Sequence, residues 1–239
     1  MEFIHLLSLG DQGWGDEMLR ATMVTIMVSI SAMCIGLFVS IFGTISKLSK
    51  NRLIRAIGNT YTTVVRGIPE LLVIYLLYFG FNNAIMSIAN SLFGYNQYIE
   101  LPVFLIAALA VGIISGAYST EVIRGAFLVV PRGQIEAAKS VGMNRFLVFY
   151  RVLIPQVLRY ALPGLGNVWQ LTLKDTALIM VTGLVEIMRQ AHIASGSTYS
   201  PFTFYMSAAI LYLVLTTASS KALNSAENWA NKGVKREKA

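Results

Sequence analysis

Five stretches of this chain run for about twenty residues with very little charge, and that feature fixes the solvent in which it folds. A helix of roughly 20 apolar residues reaches across a hydrocarbon core of about 30 Å. The stretches cover residues 21–46, 67–92, 101–118, 162–187 and 202–219, and the helical pattern of the third continues toward Val130. Composition agrees, with 55% hydrophobic and 13% charged residues, where a soluble domain carries about 25% charged. The expected fold is an all-α integral membrane protein with five transmembrane helices. It divides into an N-terminal segment (1–20), a single membrane domain (21–219) and a basic tail (220–239).

The net charge of +7 is distributed by topology. Lys47, Lys50, Arg52, Arg55 and Arg66 fall in the first connection and its approach to the second span. Arg124, Arg132, Lys139, Arg145, Arg151 and Arg159 fall in the third, and Lys221, Lys232, Lys235, Arg236 and Lys238 in the tail. The N-terminal segment and the second and fourth connections together hold only Arg20 and Arg189. Lys and Arg concentrate on the cytoplasmic side, so the tail is expected inside and the N-terminus outside. No basic stripe interleaved with aromatics occurs, which excludes a nucleic-acid partner. Asp11, Asp16 and Glu17 stand where a signal peptide would need a basic start leading into an apolar core. Cys34, the single cysteine, forms no internal disulfide. Phe3, Ile4, Leu6, Leu7, Leu9 and Trp14 suit either an amphipathic piece on the outer interface or a frayed terminus.

The longest connection carries the most information. From Val130-Pro131 it reads Arg132-Gly133-Gln134-Ile135-Glu136-Ala137-Ala138-Lys139-Ser140-Val141-Gly142, and Val152-Leu153-Ile154-Pro155 follows nine residues later. Pro131 suits the first turn of a helix, and Gly142 suits its left-handed end. Phe146, Phe149 and Tyr150 recur at helical spacing up to a break expected at Pro155. Two short helices joined at a glycine follow, and two uses of them fit. They enter a partner's groove through Arg145 and the aromatics, or they lie on the membrane surface as an amphipathic connector.

Glu-Ala-Ala, three residues, Gly, nine residues and an Ile-x-Leu-Pro-like end resembles the signature loop of permease subunits of ABC importers, with Val152 and Ile154 as conservative replacements. Arg66-Gly67-Ile68-Pro69 resembles the Arg-Gly-Thr-Pro element of polar amino-acid permeases, departing from it at Ile68. Ala117-Tyr118, Glu121, Arg124-Gly125 and Val130-Pro131 resemble the run ahead of that loop. Tyr160-Ala161-Leu162-Pro163-Gly164 with Asn167, Trp169 and Lys174, and Glu70 after the proline, is similar to the histidine, lysine, arginine and ornithine permeases and their opine-importing relatives. The resemblance implies a type I importer fold, with the cytoplasmic loop (about 131–156) as a coupling helix that docks on an ATPase. Glu136, Ala137, Ala138, Gly142 and Arg145 would be the core of that contact. It also implies a second homologous permease, a periplasmic binding protein and an amino-acid or opine substrate at a bacterial inner membrane. ATP and magnesium would sit in the ATPase, and this chain would bind no cofactor and catalyse no reaction.

Ionisable residues inside spans are costly and face a cavity or a partner. Glu70, Lys174 and Asp175 stand out. Glu70 and Asp175 suit the cationic groups of a basic amino acid and Lys174 its carboxylate. Alternatively, Lys174 and Asp175 pair to hold the bundle together. Glu121 and Arg124 are spaced as a local ion pair, and Gly112 and Gly116 suit close helix approach, either within the chain or at a subunit interface. Asn167, Trp169 and Gln170 are weaker pathway candidates, and His192 lacks the neighbours of a metal site. The motifs of zinc proteases, serine hydrolases and phosphate-binding loops are absent, so an intramembrane enzyme is disfavoured. A secondary transporter commonly shows internal repeats, and none is evident; a non-transporting anchor has no use for Glu70, Lys174 and Asp175.

The charge distribution makes a direct prediction. Alkaline phosphatase, which needs disulfides formed only outside the cytoplasm, should be inactive when fused after Ala239 and active when inserted in the second connection. Activity at the C-terminus would reverse the orientation.

Overall fold

The computed structural model describes residues 6–10, 13–93 and 102–231, and every regular element in them is helical. Phe3, Ile4, the second connection (94–101) and the tail from Lys232 lie outside the described residues. The helices are α1 (Gly15–Leu48), α2 (Arg52–Gly67), α3 (Glu70–Phe93), α4 (Val103–Val129), α5 (Arg132–Ser140), α6 (Arg145–Val148), α7 (Ile154–Asp175), α8 (Ile187–Thr198) and α9 (Pro201–Ala230).

Helices α1 and α4 form the centre. Water does not drive apolar helices together in lipid, so small residues that let backbones approach do much of the work. A side chain on Gly36 would strike Ser115 and come within 3.0 Å of the Gly116 nitrogen. One on Gly112 would lie 2.7 Å from Ile35, and one on Gly116 would lie 2.9 Å from the Tyr61 hydroxyl. Gly112 and Gly116 therefore serve packing within the chain. Ser115 Oγ donates across the seam to the Ala32 carbonyl (3.3 Å), and Thr44 Oγ1 donates to that of Thr120 (3.4 Å). Other buried hydroxyls, such as Thr25 and Ser29, return to carbonyls one turn back, whereas Ser119 Oγ is buried without a partner. Around this seam Val28, Ala32, Val73, Ile74, Val111, Ile114 and Ile179 form the principal core.

Residues 52–67, expected as part of a connection, form helix α2. Asn51 caps it by accepting from the Leu53 amide at 2.9 Å. Arg52, Arg55 and Arg66 lower its apolarity below that of a span, which concealed it. Extended Ile68, forced out of helical backbone by Pro69, then bends the chain by 110° into α3.

Three described helices, α1, α4 and α9, are long and apolar enough to cross a membrane, and the bent α2–α3 pair makes a fourth if the two helices form one span. The expected fourth span, residues 162–187, has other bounds. Helix α7 starts at Ile154 and is too polar to qualify, carrying Arg159, Asn167, Gln170, Lys174 and Asp175. It tightens into a 3-10 helix (Thr176–Thr182) and stops at Gly183, whose φ is 89°; Ile187 opens α8. Nor does Pro155 break the chain, because a π turn at Phe149–Leu153 widens the helix just ahead of the proline. Leu6, Leu7 and Trp14 pack with Met18, Ile187 and Phe204 in a second cluster, so this part of the N-terminal segment is held against the bundle and is not frayed. Helix α9 extends to Ala230, past the expected end of the span.

Gly36→Val should disrupt the α1–α4 seam. Overpacking of this kind costs about 1–3 kcal/mol, read as a lower unfolding midpoint in detergent, whereas Gly125→Ala, with nothing within 4 Å, should be neutral.

Candidate functional site

Two groups of ionisable residues lie within the helical bundle and differ in how completely they are satisfied. The first surrounds Glu121 on α4. Its carboxylate takes Lys47 Nζ from α1 on Oε1 and Arg124 Nε on Oε2 at 3.0 Å, and Arg66 from α2 lies 4.0 Å away. Lys47 Nζ also donates to Thr62 Oγ1 at 2.8 Å. The Glu121–Arg124 pair is the one the spacing predicts, but Lys47 and Arg66 come from distant sequence. One carboxylate thus ties three helices together.

The second group lies where α3, α4 and the 3-10 helix meet. Glu70 is the first residue of α3, directly after the bend, where the helix N-terminus favours negative charge. Its Oε1 accepts the Tyr118 hydroxyl at 3.1 Å. The Arg66 guanidinium lies over the Tyr118 ring, 5.2 Å from its centroid. Asp175 ends α7 close enough for the charges of Glu70 and the adjacent Lys174 to act on it in opposite senses. Among the described residues no hydrogen bond or ion pair reaches Asp175. Neighbouring Lys174 is exposed and forms no ion pair with it. Of the three residues singled out from sequence, Glu70 and Asp175 converge and Lys174 stands at the margin. Arg66 and Tyr118 join the group; their sequence signal was membership in the motif-like runs around them.

A third carboxylate, Glu186, also lies inside an expected span but is not among the residues singled out from sequence, and its capping role has no sequence signal, since Glu is not among the favoured helix-capping residues. It is fully buried. It caps α8 by accepting from the amides of Met188 (2.8 Å) and Arg189 (2.7 Å), and it accepts the Tyr212 hydroxyl at 2.9 Å. Of the weaker candidates, Gln170 donates to Ser220 Oγ at 3.1 Å. With Asn167 it lines a polar groove of about 290 Å³ between α7 and α9. Trp169 is half-buried. His192 Nδ1 lies 3.1 Å from the Tyr205 hydroxyl, and among the described residues no three possible ligands gather around a metal position.

The loop projects from the bundle. Helix α5 closes with Gly142 at φ 84°, the Gly142 amide on the Lys139 carbonyl (3.0 Å) and the Met143 amide on that of Ala138 (3.1 Å), a Schellman ending. Asn144 caps α6 by accepting from the Leu147 amide at 2.8 Å. Glu136, Ala137, Gly142 and Arg145 are exposed, whereas Ala138 is buried. Phe146 and Tyr150, 75% and 66% exposed, stack with centroids 6.3 Å apart.

A helical bundle with apolar spans, charged groups in its interior and an ordered loop with exposed aromatics fits the membrane component of a transport system. The chain belongs to the family of binding-protein-dependent transport system inner membrane components, whose model matches residues 36–226. It is 54% identical over 235 residues to the nopaline transport system permease protein NocQ of Agrobacterium fabrum, covering 97% of this chain and 98% of that one. It is 49% identical to the octopine transport system permease protein OccQ of Rhizobium meliloti, covering 99% of each. Among solved structures, an amino-acid ABC transporter crystallised with histidines superposes with a TM-score of 0.76 at 31% identity, covering 90% of this chain and 94% of that one.

The Glu121 cluster yields a stability prediction. Glu121→Gln should destabilise the protein by about 2 kcal/mol, below the 3–5 kcal/mol of a fully buried pair because two of the cations are partly screened. A double replacement, Lys47→Met with Glu121→Met, should recover part of that loss. A double variant whose loss equals the sum of the Lys47→Met and Glu121→Met losses would mean that the charges are not coupled.

Proposed function

We propose that this chain, paired with a second homologous permease, lines the translocation pathway for a cationic amino acid or opine, driven by ATP hydrolysis in separate ATPase subunits. The observation that carries this reading is the convergence of Glu70 and Asp175 beside the break between α2 and α3. Broken backbone at membrane depth is tolerated where it lines a cavity, and two under-satisfied carboxylates there suit a cationic substrate. Nopaline and octopine each combine a guanidinium with several carboxylates, so cations at the margin of the site, Arg66 and Lys174, complement the two acids. The 31% identity to an amino-acid transporter and 54% to a nopaline permease support the substrate class.

The five spans of this reading are α1, the bent α2–α3 pair, α4, α7 with its 3-10 extension, and α9, in one membrane domain with the N-terminus outside and the tail inside. The exposed face of α5, centred on Glu136, Ala137 and Gly142 and followed by Arg145 and the Phe146–Tyr150 stack, docks on the ATPase. Ala138 supports that face from within. ATP and magnesium belong to the ATPase, and an external binding protein delivers the substrate.

The test is ATP-dependent uptake of labelled arginine, histidine and octopine into vesicles holding the permease pair, ATPase and binding protein. Glu70→Gln should reduce uptake at least about tenfold, the scale of one charged hydrogen bond, while the ATPase still co-purifies. Glu136→Arg should instead lose the ATPase in mild detergent and leave the permease folded. Normal uptake by Glu70→Gln would remove Glu70 from the site. Failure of an assembled complex to take up any of the three compounds would overturn the substrate class.

A further inference from the structure

We propose that Tyr118 sets the selectivity of the site for cationic over neutral substrates by holding the Glu70 carboxylate open; the proposal rests on Glu70 being a substrate contact. Among the described residues Tyr118 is the one hydrogen-bond donor to Glu70, and it binds a single oxygen, Oε1, at 3.1 Å. The second oxygen is left for a ligand. Tyr118 belongs to α4, a helix with a long run of buried residues from Ile106 to Thr120, and its own side chain is half-buried.

The competing partner for Glu70 is Arg66. The two are four residues apart across the bend between α2 and α3. Direct pairing would neutralise the acid and remove the reason for a cation to bind. Two contacts oppose that collapse. The guanidinium is held over the Tyr118 ring, 5.2 Å from its centroid, an attractive cation–π arrangement. It also lies 4.0 Å from Glu121. Tyr118 therefore separates the two charges, with its face toward Arg66 and its hydroxyl toward Glu70. Phenylalanine at this position keeps the face and loses the hydroxyl, which frees the flexible Glu70 side chain to turn toward Arg66.

Equilibrium binding of labelled arginine to the detergent-solubilised permease–ATPase complex, without binding protein, isolates the membrane site. Citrulline, of nearly the same shape and without the side-chain charge, serves as competitor. Tyr118→Phe should weaken arginine binding about tenfold, the scale of one hydrogen bond to a charged group, and leave citrulline binding within twofold. The Tyr118→Phe/Glu70→Gln double variant should bind arginine no more weakly than Glu70→Gln alone, because both changes act through one carboxylate. If Glu70→Gln weakens arginine binding and Tyr118→Phe does not, the inference fails while the substrate site stands. Equal weakening of arginine and citrulline by Tyr118→Phe, or additive effects in the double variant, also overturns it. If Glu70→Gln itself changes nothing, or the wild-type complex binds no arginine, the site and the inference fall together.

Discussion

The close approach of α1 to α4 is the constraint on which the rest of this structure depends. Glycine and hydroxyl residues line both sides of the seam: Gly36, Ser40, Gly43 and Thr44 on α1 meet Gly112, Ser115, Gly116 and Thr120 on α4. The separation is small enough for hydroxyls to reach carbonyls on the opposite helix. That same seam sets the height of Lys47 against Glu121 and opens the place where α2 crosses, its Tyr61 hydroxyl donating to the Ile113 carbonyl at 2.7 Å. Moving the two helices apart by the width of a side chain would separate Lys47 from Glu121 and Tyr61 from α4 together. The charged groups are thus positioned by residues that carry no charge.

The carboxylates inside the bundle sort by satisfaction. Glu121 has two direct cationic partners, and Glu186 has three hydrogen-bond donors around it. A buried acid so provided for has its desolvation offset, and removing any partner is expensive; such groups hold elements in register. Glu70 has one donor, and Asp175 has none among the described residues. They also lie close enough to repel one another. An arrangement that leaves like charges close and under-satisfied gives up stability, and the proposed cation site rests on that contrast with Glu121 and Glu186.

Much of this was legible in the sequence because its signals are local. The Glu136–Gly142 motif specified a short helix with a left-handed end, and the structure adds its cap at Asn144. Glu121 with Arg124 followed from helical spacing, as did the small-residue pair Gly112 and Gly116. The remainder lies in contacts between distant segments. Lys47 and Glu121 are 74 residues apart, and Tyr118 and Glu70 are 48; no periodicity connects them. Helix α2 was hidden because its arginines resemble the flank of a span, and the end of α7 was misplaced because the apolar run continues through the 3-10 helix past Gly183. Glu186 fell inside the expected span 162–187, where the rule for ionisable residues applies, but its role as a cap uses a residue that capping rules do not favour.

The path from loop to site is short in mechanical terms. Downstream of α6 the backbone stays helical through the π turn and α7 to Asp175, and only there tightens into 3-10 geometry before Gly183 ends it. Helix α7 alone spans about 33 Å at 1.5 Å per residue. In the proposed mechanism, a displacement of the docked loop is therefore delivered to Asp175 with little chance to dissipate, since a packed helix moves as a body. Three places mark where it can yield: the π turn beside Pro155, Pro163 inside α7, and the 3-10 turn directly after the carboxylate. Glu70 rides on a different unit, separated from α2 by the 110° bend. A rotation of α7 changes the distance between the two acids, and with it the affinity for a cation between them. That difference in affinity between two states is what any ATP-driven importer must create, because a ligand held equally well in both states biases neither.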